Sequence, residues 1–146
     1  MKKLSFLLLF LSSFAFSQTN DEEKIKTVIN NFFGAMSQSD SEGVKKVFTP
    51  SATFQLIDEN GVLQYDSPAE FSKYVGTMPK LSLVENATSW KIAVDGKMAN
   101  AWVGYEFYYE KKFSHCGIDN FVLLKDKEDW KIHYLIFTMK KDGCGK

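Results

Sequence analysis

The sequence predicts an α+β domain in which helices cover one face of a long, curved, largely antiparallel sheet. Apolar residues recur at helical spacing early in the chain, at Ile25, Val28, Ile29, Phe32, Phe33 and Met36. Later, between 88 and 139, runs rich in aromatic and β-branched residues are separated by short turns. No internal repeat, low-complexity tract or linker divides the 146 residues, so one domain is expected. A sheet with one apolar face must bury it, and the helices are what is there to cover it.

The elements follow in order. Asp21 to Met36 carries the apolar stripe of an amphipathic helix, with Asp21, Glu22 and Glu23 in its expected first turn, where the helix dipole favours anions. Ser39-Asp40 opens a short second helix through Val44, Val47 and Phe48, which Pro50 stops. Ala52 to Ile57 reads as a strand, Asn60-Gly61 as a hairpin turn and Val62 to Tyr65 as the return. Ser67-Pro68-Ala69-Glu70 places a cap, a first-turn proline and an acid ahead of a third helix through Phe71, Tyr74 and Val75. Four strands complete the sheet: Thr88 to Val94, Lys97 to Glu110, Phe113 to Leu124 and Trp130 to Met139.

Residues 1–17, MKKLSFLLLFLSSFAFS, read as a cleavable signal peptide with the cut between Ser17 and Gln18. The apolar run is shorter than the roughly 20 residues a membrane span needs. A single domain over 18–146 would remain, in the periplasm or outside the cell. There Cys116 and Cys144 can pair as a disulfide. The chain has 18 basic and 18 acidic residues, and every basic one is lysine. No basic excess exists for nucleic acid, and no arginine for bidentate phosphate or carboxylate clamps. A glycine-rich phosphate loop, a nucleophile elbow and metal-ligand spacing are all missing, so no cofactor and no metal is expected.

Trp90-Lys91-Ile92, Asp95-Gly96, Tyr105-Glu106-Phe107-Tyr108, His115-Cys116-Gly117, Phe121, Leu123, Trp130-Lys131-Ile132 and the late Cys144 carry a resemblance. Together with the element order, they make the chain resemble the nuclear transport factor 2-like superfamily. Within it, the chain is similar to a bacterial exported subgroup often labelled "putative lumazine-binding" or uncharacterised. The resemblance implies three helices on a strongly curved mixed or antiparallel sheet of about six strands, shaped as a cone around an internal cup. It implies no single reaction, because that fold hosts isomerases, dehydratases, cyclases and non-catalytic binders.

Strand pairing decides which side chains share a face. The shortest turns would be Lys111-Lys112, pairing Glu110 with Phe113, and Asp126-Lys127, pairing Lys125 with Glu128. One face then carries Trp102, Glu106, Tyr108, His115, Asp119, Phe121, Leu123, Trp130, Ile132 and Tyr134. The other carries Val103, Tyr105, Phe107, Tyr109, Cys116, Ile118, Val122, Leu124, Leu135 and Phe137, apolar enough to call for a second copy of the sheet.

Two candidate catalytic groups follow: Asp119, a carboxylate mid-strand among apolar residues, and His115, whose charge switches near neutral pH. The plainer alternatives are a carboxylate tied into a core network and a histidine holding a loop. Trp102 and Phe121 would contact a ligand's body, and Glu106, Tyr108 and Tyr134 its polar end. The first functional expectation is an exported small-molecule-binding protein that works as a homodimer. A cofactor-free lyase or isomerase is the alternative, with logic like that of ketosteroid isomerase or the polyketide cyclases: Asp119 or His115 would take a carbon-bound proton, and Tyr108 or Tyr134 would steady the enolate. A dimeric accessory module with a filled cup is the third.

Overall fold

The computed structural model describes residues 8–144, with side chains from Asn20 onward. The expected leader over residues 1–17 lies outside the residues whose side chains are described. Nine elements follow: α1 (Leu8–Gln38), α2 (Ser41–Val47), β1 (Phe48–Ile57), β2 (Leu63–Asp66), α3 (Pro68–Thr77), β3 (Leu83–Asp95), β4 (Met98–Tyr109), β5 (Lys112–Asp126) and β6 (Asp129–Thr138). The sheet has six strands in the order β2-β1-β6-β5-β4-β3. Neighbours are antiparallel except β1 and β6, which run parallel, so the sheet is mixed. No helix among the described residues is long and apolar enough to cross a membrane.

The helical stripe buries as its spacing requires. Ile25, Ile29, Phe32, Phe33 and Met36 turn inward against Phe121, Leu123 and Ile132 of the sheet. Phe32 meets Phe121 edge-on, with ring centroids 6.4 Å apart. Asp21 does not sit in a first turn, because α1 starts upstream of it. It is buried instead, and Oδ1 accepts from Lys125 Nζ at 2.8 Å and Trp130 Nε1 at 3.1 Å, pinning α1 to the far end of β5 and β6. That lysine, ahead of the opposing effect of burial, holds the Asp21 carboxyl below its usual range.

The caps form as written in the sequence. Asp40 accepts from Gly43 N at 2.9 Å ahead of α2, and Ser67 from Glu70 N at 3.1 Å ahead of α3. Two strands begin earlier than their apolar runs predict, β1 at Phe48 and β3 at Leu83.

The hairpin registers differ from those expected. The β4–β5 turn is Glu110-Lys111, pairing Tyr109 with Lys112, and both turn residues hold positive φ, at 49° and 67°. A bulge at Ser114 then shifts the ladder by one residue, so that Phe107 opposes His115 and Val103 opposes Asp119. In the β5–β6 hairpin Asp126 pairs with Asp129, and a bulge at His133 sets Tyr134 opposite Val122 and Phe137 opposite Asp119. A one-residue slip exchanges faces. Val103, Tyr105, Phe107, Leu135 and Phe137 therefore lie on the helix-covered inner face, not the outer one. Trp102, Glu106, Tyr108 and Tyr134 take the outer face.

Cys116 and Cys144 are disulfide-bonded, with their α-carbons 5.6 Å apart. The bond locks the segment after β6 onto β5, where Cys116 and Lys140 also exchange backbone hydrogen bonds of 2.9 and 2.8 Å. Closing a loop across 28 positions is worth about 3–4 kcal/mol on the chain-entropy account. Adding a reductant should lower the urea midpoint accordingly. A midpoint that does not move would mean the bond contributes nothing.

Candidate functional site

Asp119 is the buried charge that the inner face is built around. It is 3% exposed, mid-β5, with Val103 opposite on one side and Phe137 on the other. Its closest acidic neighbour in charge is Glu85 of β3, which stands opposite Phe107, and the two carboxyls titrate together. Carboxyls that titrate together shed their protons in separate steps, because one charge opposes the next. Burial pushes Asp119 up to about 7. Burial, then the Asp119 charge, raise Glu85 well above the usual carboxyl range. Asp119 Oδ2 is enclosed, and no nitrogen or hydroxyl donor reaches it.

Around the pair stand Tyr105, Phe107, His115 and Phe137. His115 lies against Phe107, centroids 4.9 Å apart, and edge-on to Tyr105 at 5.7 Å. Burial, then the charge of Lys141, lowers its pKa and keeps the ring neutral; Nδ1 is 3.0 Å from Ser114 Oγ. Tyr105 donates its phenol proton to the carbonyl of Thr138 at 2.8 Å. Burial, with the charges of Asp119 and Glu85 behind it, drives the phenol far above its ordinary pKa.

Gly117 makes this possible. A side chain there would overlap the Thr138 carbonyl oxygen and come within 2.9 Å of the Tyr105 ring. The glycine lets β5 and the end of β6 close up and lets the tyrosine lie across the gap.

Of the residues predicted from sequence, Asp119, His115 and Phe121 share the inner face. Phe121 is fully buried against Phe32 and Phe33. The other four are brought together elsewhere or not at all. Trp102 is 46% exposed on the outer face. Tyr108 donates to Glu106 at 3.0 Å and Tyr134 to Gln55 at 2.7 Å. Glu85 was missed because β3 was expected to begin only at Thr88. Leu83, Glu85 and Ala87 alternate, and a longer strand would have put the acid on the face of Leu83, which is 3% exposed.

Among the described residues, two depressions stand out on the surface. One of about 1100 Å³ runs between α1, α2 and the β5–β6 turn, past Asn31, Gln38, Lys46 and Glu128. One of about 210 Å³ lies over Gly104, between Thr88, Ser89, Glu106 and Lys140. Asp119 borders neither. Among the described residues no three of His, Cys, Asp and Glu gather as a metal cage.

A mixed six-stranded sheet covered by helices is a fold that known families share. The chain belongs to the family described as "Putative lumazine-binding", which it matches over residues 20–137. Solved structures of the nuclear transport factor 2-like superfamily share its fold. A protein of unknown function from Shewanella baltica superimposes with a TM-score of 0.68 at 17% identity, over 85% of this chain and 97% of that one. A Novosphingobium aromaticivorans protein with a cystatin-like fold gives 0.69 at 12% identity, over 98% and 93%. One from Streptomyces avermitilis, described as a putative dehydratase, gives 0.67 at 12%, over 84% and 98%. No curated protein matches the sequence.

Proposed function

We propose that the chain is an exported small-molecule-binding protein whose ligand sits in a cone-shaped cup under the helices, anchored by the Asp119–Glu85 pair. The observation that carries the reading is a carboxyl, Asp119, buried on the aromatic-walled inner face with no nitrogen or hydroxyl donor on Oδ2. Burying a carboxyl whose polar neighbour is a second acid, with no cation or amide donor beside it, is costly to the fold. A cost kept at the centre of an aromatic-walled face is what a binding site imposes on a fold. The leader-like residues 1–17 and the disulfide support export to the periplasm or beyond. The outer face, where Met98, Trp102 and Leu124 stand exposed, supports a homodimer built sheet to sheet.

The cofactor-free isomerase or lyase remains the second reading, favoured by an Asp119 that titrates near neutral pH. It loses its expected oxyanion donors, however. Tyr108 and Tyr134 face outward, and Tyr105 spends its proton on Thr138. Binding accounts for more of the geometry.

Native mass spectrometry of the mature protein from its own host tests the proposal. A retained adduct is expected, and it should be absent from Asp119→Asn. Wild type free of adduct, with no thermal shift across a ligand library, would overturn the binding reading. The same spectrum reports the dimer and the cleavage after Ser17.

A further inference from the structure

The outer face of the sheet carries a polar cluster with no role so far. Paired residues on neighbouring strands point to the same side of a sheet. Asn86 pairs with Glu106, Glu106 with Cys116, and Cys116 with Lys140, so one row crosses β3, β4, β5 and the segment after β6. Glu106 and Lys140 therefore share a face two strand spacings apart, about 10 Å between α-carbons. The disulfide-bonded Cys116 stands between them. Among the described residues neither charge takes part in an ion pair. The next row holds Ser89, Gly104 and Ile118. Gly104 leaves its place in that row empty, and Ser89 Oγ and Thr88 Oγ1 lie over it, 2.5 and 2.8 Å from where a β-carbon would be. The cavity of about 210 Å³ is the space left among these groups.

We infer that this cavity is a binding site for a small zwitterion, an α-amino acid, held with its carboxylate toward Lys140 and its ammonium toward Glu106. Two opposite charges line one cavity without neutralising each other. A ligand with a single charge would satisfy one and leave the other facing it unpaired. Tyr108 donates to Glu106 Oε2 at 3.0 Å, which orients the carboxylate and leaves Oε1 to accept from a ligand. The hydroxyls of Thr88 and Ser89 suit either end, since each can donate to a carboxylate or accept from an ammonium. Size points the same way: about 210 Å³ is the room of about seven waters at about 30 Å³ each, which a small amino acid fills.

The disulfide holds one wall of the site. Lys140 is joined to Cys116 by two backbone hydrogen bonds, and Gly143, which also lines the cavity, precedes Cys144. Opening the Cys116–Cys144 bond lets Gly143 leave the face while Glu106 and the two hydroxyls stay. Affinity should therefore fall severalfold on reduction without being lost. The site lies on the opposite face of the sheet from Asp119, which does not border the cavity, so the two faces can be tested apart.

The experiment is calorimetric titration of the oxidised mature protein with glycine, L-alanine and L-serine, beside acetate and ethylammonium, which carry one charge each. The amino acids are expected to bind, and the single-charge probes to bind about tenfold more weakly or not at all. Glu106→Gln and Lys140→Gln, both at positions open to solvent, should each weaken L-alanine about tenfold. Lys91→Gln, on the same face but outside the cavity, should leave it unchanged. Acetate that binds as tightly as L-alanine would reduce the site to an anion contact at Lys140. Ethylammonium that does so would reduce it to a cation contact at Glu106, and either result overturns the zwitterion. Amino acids that bind equally well to both variants would overturn the assignment to this cavity. Silence from all three amino acids at millimolar concentration overturns the inference, and the adduct measurement above decides the inner face separately.

Discussion

Asp119→Asn is expected to stabilise the protein most above pH 7 and least below about pH 4. The sign follows from where the proton sits. In the unfolded chain an aspartate titrates near 3.8, and in the folded protein burial moves Asp119 to about 7. Between those values the folded state holds a proton that the unfolded state has released. Stability is therefore greatest below about 4 and falls as pH rises toward 7, the reverse of a carboxylate held in a salt bridge. The whole shift corresponds to about 4 kcal/mol at most. Asparagine keeps the shape but never acquires the charge. Urea denaturation of both proteins at pH 5 and pH 8 tests this. Wild type should lose midpoint between the two and the variant should lose much less. Parallel curves would mean that Asp119 is not carrying a raised pKa.

That expectation was half visible in the sequence. A lone carboxylate between Ile118 and Phe121 marks Asp119 as unusual whatever the register, because β5 is apolar on both sides of it. The helices were legible for a similar reason: α1 repeats its apolar residues over about three turns, and the caps at Asp40 and Ser67 have distinct chemistry. The partners of Asp119 were not legible. They depend on a tight turn whose left-handed positions are filled by Glu110 and Lys111, where glycine or asparagine would be the readable signal. They depend also on bulges at Ser114 and His133, which leave no mark in composition. Shifting one hairpin by one residue moved Trp102, Glu106 and Tyr108 out and brought Val103, Tyr105 and Phe107 in. Local chemistry specifies elements well. The face each strand presents is settled by pairing, which is a property of the whole sheet.

Gly117→Ala should cost about 3 kcal/mol or more, a large loss for one methyl group. Its carbon would overlap the carbonyl oxygen of Thr138, a backbone atom with no rotamer to yield, so β5 and the end of β6 would have to separate. Overpacking of this kind costs about 1–3 kcal/mol by itself. Separation would also strain the Tyr105 bond to that same carbonyl and the bond from Ile118 N to Thr138 Oγ1, each worth about 1 kcal/mol. Gly104→Ala is the control. A carbon there would meet Ser89 Oγ at 2.5 Å and Thr88 Oγ1 at 2.8 Å, but both are side-chain oxygens that can rotate on an exposed edge strand. It should cost about 1 kcal/mol or less. Thermal denaturation at pH 5, where the acid pair is neutral, separates this steric effect from the charge on Asp119. Equal losses at the two glycines would mean that the close approach of β5 to Thr138 is not what Gly117 provides. A selective loss at Gly117 would make Tyr105 and the Thr138 carbonyl the brace that holds the acid pair's surroundings in place, and would explain why the disulfide begins one residue away, at Cys116.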